Sequence, residues 1–163
     1  MPDSLVGVNT SVPNKLVHLA IEKGDISELS GYDTIRPEVK TSDGSRLDLM
    51  LSSKAKRTCY VEIKNCSLVK EGHARFPDAV TTRGRKHLHE LIRLKHEGHR
   101  AVIFFLIQRM DAQVFTPAET IDPDYAESLG EAEKNGVEVL TYDTIIDTKG
   151  IRINCRIPYR LLF

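Results

Sequence analysis

Two neighbouring stretches alternate apolar and polar residues and constrain the fold most: Ser45-Arg46-Leu47-Asp48-Leu49-Met50-Leu51 and Thr58-Cys59-Tyr60-Val61-Glu62-Ile63-Lys64-Asn65. A period of two is the pattern of a half-buried strand. Leu47, Leu49 and Leu51 share one side of the first strand, and Cys59, Val61 and Ile63 share one side of the second. Arg46 and Asp48 face the other way, as do Glu62 and Lys64. The polar run Ser52 to Arg57 predicts a hairpin turn. With that turn centred on Ala55, Asp48 lies directly opposite Glu62, where Cβ atoms are about 4.5–5.5 Å apart. Two carboxylates and a lysine then converge on one face of one hairpin. Opposed like charges destabilise a ladder, and two carboxylates at one site raise one pKa unless a cation keeps both ionised. Lys64 supplies one positive charge. Mg²⁺ or Mn²⁺ would supply more, because hard ions suit carboxylate oxygens. The competing reading is a solvated polar face with an ordinary ion pair.

The length of 163 residues suits a single domain, 1–163, with a sizeable core. No apolar run approaches the roughly 20 residues that span a bilayer, so no membrane partner is expected. Met1 to Asn9 lacks the basic and apolar regions of a signal peptide. The three cysteines, Cys59, Cys66 and Cys155, have no zinc-like spacing, and an odd number without an export signal reads as free thiols in the cytoplasm.

Lysines plus arginines equal aspartates plus glutamates, at 23 each, but the charge is unevenly spread. Lys70, Arg75, Arg83, Arg85, Lys86, Arg93, Lys95 and Arg100 crowd one segment, opposed only by Glu71, Asp78, Glu90 and Glu97. From Asp111 to Asp143 the balance reverses. A neutral total can therefore hide a basic surface aimed at a polyanion such as nucleic acid. Alternatively, the two segments neutralise each other, or the acidic one is a protein-binding face.

Along the chain, Leu5-Val6-Gly7-Val8 reads as a short strand. A helix follows, entered at Pro13 with Ser11 or Asn14 as cap, and stopped by Gly24. Leu16, Leu19, Ala20 and Lys23 form one row of that helix, beside Val17 and Ile21, and His18 is a surface residue. Ile26 to Tyr32 is a link. Thr34 to Lys40 is an edge strand, because Pro37 cannot donate to a ladder. Thr41-Ser42-Asp43-Gly44 then turns the chain into the Asp48 strand, so three strands form an antiparallel meander. Glu38, on the first of them, is either a third acidic group at the site or a rim charge. Ser67 to Val80 is a loop.

Thr81 or Thr82 caps a helix over Arg83 to Glu97, packed through Leu88, Leu91, Ile92 and Lys95. Arg83, Lys86, Glu90 and Arg93 make a separate row. Cations in the first turn oppose the helix dipole, which makes sense when a phosphate sits between them. Arg46, on the polar side of its strand, joins Arg83 and Lys86 as a candidate DNA contact. His87, His89, His96 and His99 have poor spacing for zinc and read as surface residues. Ala101 to Ile107 is continuously apolar, as in a strand covered on both faces. An acidic helix from Asp122 to Asn135, a parallel strand over Val137 to Tyr142, and an alternating edge strand over Ile151 to Ile157 complete the chain.

The order helix, three strands, helix, strand, helix, strand, with Asp48 followed by Glu62-Ile63-Lys64 on the next strand, resembles the PD-(D/E)XK nuclease fold. This is an α/β class with a mixed central sheet, an antiparallel meander plus parallel strands, flanked by helices. Leu47 stands where the Pro of that name would be. Longer stretches are similar to the sugar fermentation stimulation protein family: Val8-Asn9-Thr10, Ile26-Ser27-Glu28-Leu29-Ser30-Gly31-Tyr32, Phe76-Pro77-Asp78-Ala79-Val80-Thr81, Arg83-Gly84, Lys86-His87-Leu88 and Ala101-Val102-Ile103-Phe104-Phe105.

The resemblance implies a DNA-binding protein linked to regulation of maltose metabolism. It also implies a missing N-terminal OB-like barrel, hence a truncated member or an excised domain. Asp48, Glu62 and the Ile63 carbonyl become metal ligands for Mg²⁺ or Mn²⁺, and Lys64, with Glu38 nearby, completes a phosphodiesterase site. The first helix departs from the family at Leu19, where members often carry Glu; Glu22 lies one turn on. The alternative is therefore a non-catalytic DNA-binding regulator of sugar metabolism with a residual nuclease fold.

Overall fold

The computed structural model describes residues 12–42 and 44–161. The strand expected over Leu5–Val8, the Ser11 cap, the Val8-Asn9-Thr10 stretch and Asp43 lie outside the described residues. Among the described residues, no helix is long and apolar enough to cross a membrane. Cys59, Cys66 and Cys155 are free thiols.

Ala101 to Ile107 behaves as its composition demands. Strand β6 (Arg100–Ile107) lies inside the main sheet and is fully buried along Ala101 to Ile107. Its side chains alternate between two cores. Ala101, Ile103, Phe105 and Ile107 enter the one shared with Leu88, Leu91 and Leu129, and Val102, Phe104 and Leu106 enter the one shared with Val17 and Ile21. Around it, β1 (Thr34–Ser42), β2 (Ser45–Ser52), β3 (Cys59–Cys66), β8 (Glu138–Asp147) and β9 (Gly150–Arg156) complete six strands in the order β1-β2-β3-β6-β8-β9. β1, β2 and β3 form the expected antiparallel meander, while β3, β6 and β8 run parallel. Each parallel crossover carries a helix, α2 (Thr82–His96) or α3 (Pro123–Lys134). Thr81 caps α2 by accepting from the Gly84 N–H at 2.9 Å, and Asp122 caps α3 by accepting from Tyr125 N–H at 3.0 Å.

Three local readings are corrected. In α1 (Val12–Lys23) the buried stripe is Pro13, Val17, Ala20 and Ile21, whereas Leu19 is 50 % exposed. Helix α2 buries the expected Leu88 and Leu91 together with Gly84, His87, Glu90 and Leu94, while the expected Ile92 packs only partly buried at the edge of that core and Lys95 is half-buried. Packing on the sheet fixes each rotation; several apolar faces were compatible with the spacing alone. Third, the expected loop after β3 contains strands β4 (Leu68–Lys70) and β5 (His73–Phe76). They are joined through Glu71 and Gly72, both at positive φ, and β7 (Val114–Pro117) pairs in parallel with β5. Strands this short acquire their backbone partners from about 40 residues away, which no local periodicity records.

Candidate functional site

The β2–β3 ladder pairs Leu51 with Cys59, Met50 with Tyr60 and Leu49 with Val61, then stops. Continuing that register sets Asp48 against Glu62, as the alternation requires. Asp48 Oδ2 accepts the Ile63 N–H at 2.7 Å and Oδ1 accepts from Asn14 Nδ2 at 2.7 Å. Both oxygens are thus held, one by β3 and one by the first turn of α1. Burial and the neighbouring Glu62 charge push the Asp48 carboxyl above its ordinary value, against these two hydrogen bonds and Lys64.

Glu62 is only 3 % exposed. Its Oε1 accepts from Lys64 Nζ at 2.7 Å and contacts His87 Nδ1 closely. Lys64 Nζ lies 3.1 Å from the same His87 nitrogen. A single ring nitrogen can donate to Glu62 or accept from Lys64, not both. Burial alone would raise the Glu62 carboxyl; the imidazole and the ammonium outweigh it and hold it below its ordinary value. Glu62 Oε2 is buried with no hydrogen-bond partner among the described residues. Beneath, Tyr125 is fully buried, and burial together with the Glu62 charge drives its phenol upward.

Two open clefts flank these carboxylates. One, of about 470 Å³, is lined by Ser45, Arg46, Thr82, Arg83, Lys86 and His87. Arg46, Arg83 and Lys86 are exposed there, and none pairs with a carboxylate among the described residues. The other cleft, of about 440 Å³, is lined by Asn14, Lys15, His18, Glu38, Asp48 and Leu49. Much of the remaining basic charge is neutralised locally. Arg85 pairs with Asp124 on α3 at 2.7 Å, Arg93 with Glu90 and Glu97, and Arg100 with Glu138 at 2.7 Å.

The expected site residues lie in or beside these two clefts, with Glu62 and Lys64 reaching one of them through His87 and the Ile63 N–H held by Asp48 of the other. Asp48, Glu62 and Lys64 meet at the centre, Glu38 borders Asp48, and Arg46, Arg83 and Lys86 share a cleft. Glu22 does not join them. It contacts His18 at 3.2 Å and lines a different cleft with Gly24 and Leu29. Two participants escaped the sequence reading. His87, taken for a surface residue, is 7 % exposed and touches both Glu62 and Lys64. Its signal was the spacing His87, Leu91, Leu94, one packed helical face. Asn14 had no such signal, because its role depends on how α1 docks. Among the described residues, no three His, Cys, Asp or Glu side chains gather as a ready metal cluster.

The family model for the sugar fermentation stimulation protein RE domain matches residues 11–150. A sugar fermentation stimulation protein homolog of Pelobacter propionicus is 53 % identical over 152 residues, 93 % of this chain and 66 % of that protein. The homolog of Geotalea uraniireducens is 49 % identical over 156 residues, 96 % of this chain and 67 % of its own length. This chain thus spans about two thirds of the length of these relatives. The structure of Pyrococcus furiosus SfsA in complex with Ca²⁺ superposes with a TM-score of 0.90 at 29 % identity, over 98 % of this chain and 68 % of that one. The mixed sheet, an antiparallel meander plus parallel strands flanked by helices, is the α/β architecture that the element order led us to expect. With the family model covering most of its length and relatives near half identity, the chain belongs to the sugar fermentation stimulation protein family.

Proposed function

We propose that this chain binds nucleic acid, DNA in particular, and carries a nuclease-like phosphodiesterase site in which Asp48, Glu62 and the Ile63 carbonyl hold Mg²⁺ or Mn²⁺. The observation that carries the reading is Glu62 Oε2, a buried carboxylate oxygen without a partner among the described residues, beside a second carboxylate. Such an atom is costly to bury unless something satisfies it. The donor set fits a hard divalent ion, being oxygen throughout. The Ca²⁺ held by the Pyrococcus furiosus relative supports the same class of ion.

When bound, a divalent ion would polarise the phosphodiester and acidify a water. Asn14 and the Ile63 N–H orient Asp48 for that task. Lys64, paired with Glu62 and His87, keeps a positive charge where negative charge develops on the phosphate. Arg46, Arg83 and Lys86 attract and align neighbouring phosphates without reading sequence. A second reading, a DNA-binding regulator of sugar metabolism without turnover, draws on one observation. Where family members often carry Glu on the first helix, this chain has the half-exposed Leu19, and α1 offers Asn14, Lys15 and His18 to the Asp48 cleft, with no acid among them.

Calorimetry with Mn²⁺, with and without DNA, tests the site. The wild type takes up the ion, Asp48→Ala abolishes uptake, and Lys64→Ala preserves or tightens it while suppressing cleavage. No uptake at millimolar Mn²⁺ with DNA present defeats the metal site. Uptake without cleavage of any DNA offered selects the regulatory reading.

A further inference from the structure

Glu38 is one of two non-glycine residues at positive φ among the described residues, with φ +51°. The left-handed region is disfavoured for a residue with a Cβ, and such strain persists where the surroundings hold it. Nothing in the Glu38 side chain accounts for it, since the carboxylate is exposed and makes no hydrogen bond or ion pair among the described residues. The location does. β1 pairs with β2 through Pro37↔Leu49 and Val39↔Leu47, and the row between them, Glu38 against Asp48, is unpaired. On the other side of Asp48, the β2–β3 ladder ends at Leu49↔Val61.

The side-chain alternation breaks at the same place. Leu49 enters the core beneath α1, whereas Leu47, two residues earlier and so expected on the same face, enters the core beneath α2. The Ile63 N–H points toward β2 but meets Asp48 Oδ2 in place of a backbone carbonyl. A single local distortion accounts for these observations together; since Pro37↔Leu49 and Val39↔Leu47 keep one register, it re-aims side chains without inserting a residue.

We propose that Glu38 is a positioning residue acting through its backbone: its left-handed conformation opens the β1–β2 pairing opposite Asp48 and turns the Asp48 carboxylate onto β3. The glutamate carboxyl group itself has no part in this. The consequence for ion binding rests on the cation-site reading above; the structural consequence does not.

Three variants of the chain separate backbone from side chain, read by thermal denaturation, by hydrogen exchange at the Ile63 amide, and by Mn²⁺ calorimetry. Glu38→Gly relieves the strain and keeps the conformation, so Tm rises by about 2–4 °C while Ile63 stays protected and Mn²⁺ affinity holds. Glu38→Gln keeps both the strain and the conformation, and all three readings stay at wild-type values. Glu38→Val resists positive φ, so Ile63 exchange quickens and Mn²⁺ affinity falls, each by about tenfold. Should the valine variant fail to fold, the glycine and glutamine variants decide. A Glu38→Gln variant that loses Mn²⁺ affinity with Ile63 still protected would make the carboxylate the working group and overturn the proposal. So would a Glu38→Gly variant that exposes Ile63. If the wild type binds no Mn²⁺, the cation site fails, while Ile63 exchange and the order of Tm values still judge Glu38.

Discussion

Replacing Arg83 and Lys86 together with Ala should change how DNA binding responds to salt, by an amount the structure fixes. Both side chains are exposed in the cleft they share with Arg46, and neither pairs with a carboxylate among the described residues. Each is therefore free to neutralise one phosphate and release its condensed counterions. On duplex DNA each lost contact lowers the slope of log K against log salt by about 0.9, so the double variant loses about 1.8. Between 50 and 200 mM salt, a fourfold range, the wild type should then weaken about 12-fold more than the variant. Adding Arg46→Ala brings the loss of slope to about 2.7 and the extra weakening to about 40-fold. Arg85→Ala is the internal control. It removes the same charge two residues from Arg83, but from a guanidinium already paired with Asp124 at 2.7 Å. Fluorescence anisotropy with unrelated duplexes, titrated at several salt concentrations, reads the slopes. The reductions should be the same for every sequence, because phosphate contacts carry no base information. An unchanged slope in the double variant, or an equal change in Arg85→Ala, would mean that the basic cleft is only a solvated face.

Asp48→Asn should stabilise the metal-free chain at neutral pH. Burial and Glu62 raise the folded Asp48 pKa above its unfolded value, so its ionisation costs stability as pH rises through that interval, and the cost is relieved as pH falls below it. A higher Tm at pH 7 is expected, the gain fading toward about pH 3, where the wild-type carboxyl is also neutral; a less stable variant at pH 7 would contradict this. Asp122→Ala should cost about 2–3 kcal/mol in urea denaturation, because the buried carboxylate both caps α3 at Tyr125 and accepts the Thr81 N–H at 2.8 Å. A loss well below 1 kcal/mol would mean that water replaces both bonds.

The sequence by itself determined the strands of the main sheet, the three helices and the polar row. Seven consecutive apolar residues from Ala101 to Ile107 suit a strand covered on both faces. Period-two alternation fixed which residues of β2 and β3 share a side, and the length of the turn set Asp48 against Glu62. Thr81 and Asp122 announced the starts of α2 and α3. These are local properties, set by backbone periodicity and by which N–H groups a helix leaves unsatisfied.

Tertiary structure alone decided what completes the site. Periodicity names the residues on each helical face but leaves open which face turns inward, so only the docking of α2 brought His87 to Glu62 and Lys64. The docking of α1 likewise brought Asn14 to Asp48 and left Leu19 half-exposed. The pairing of β5 with β7 depends on backbone groups distant in sequence. The break opposite Glu38 is a departure from regular pairing, and an alternating pattern carries no record of where its own ladder will open.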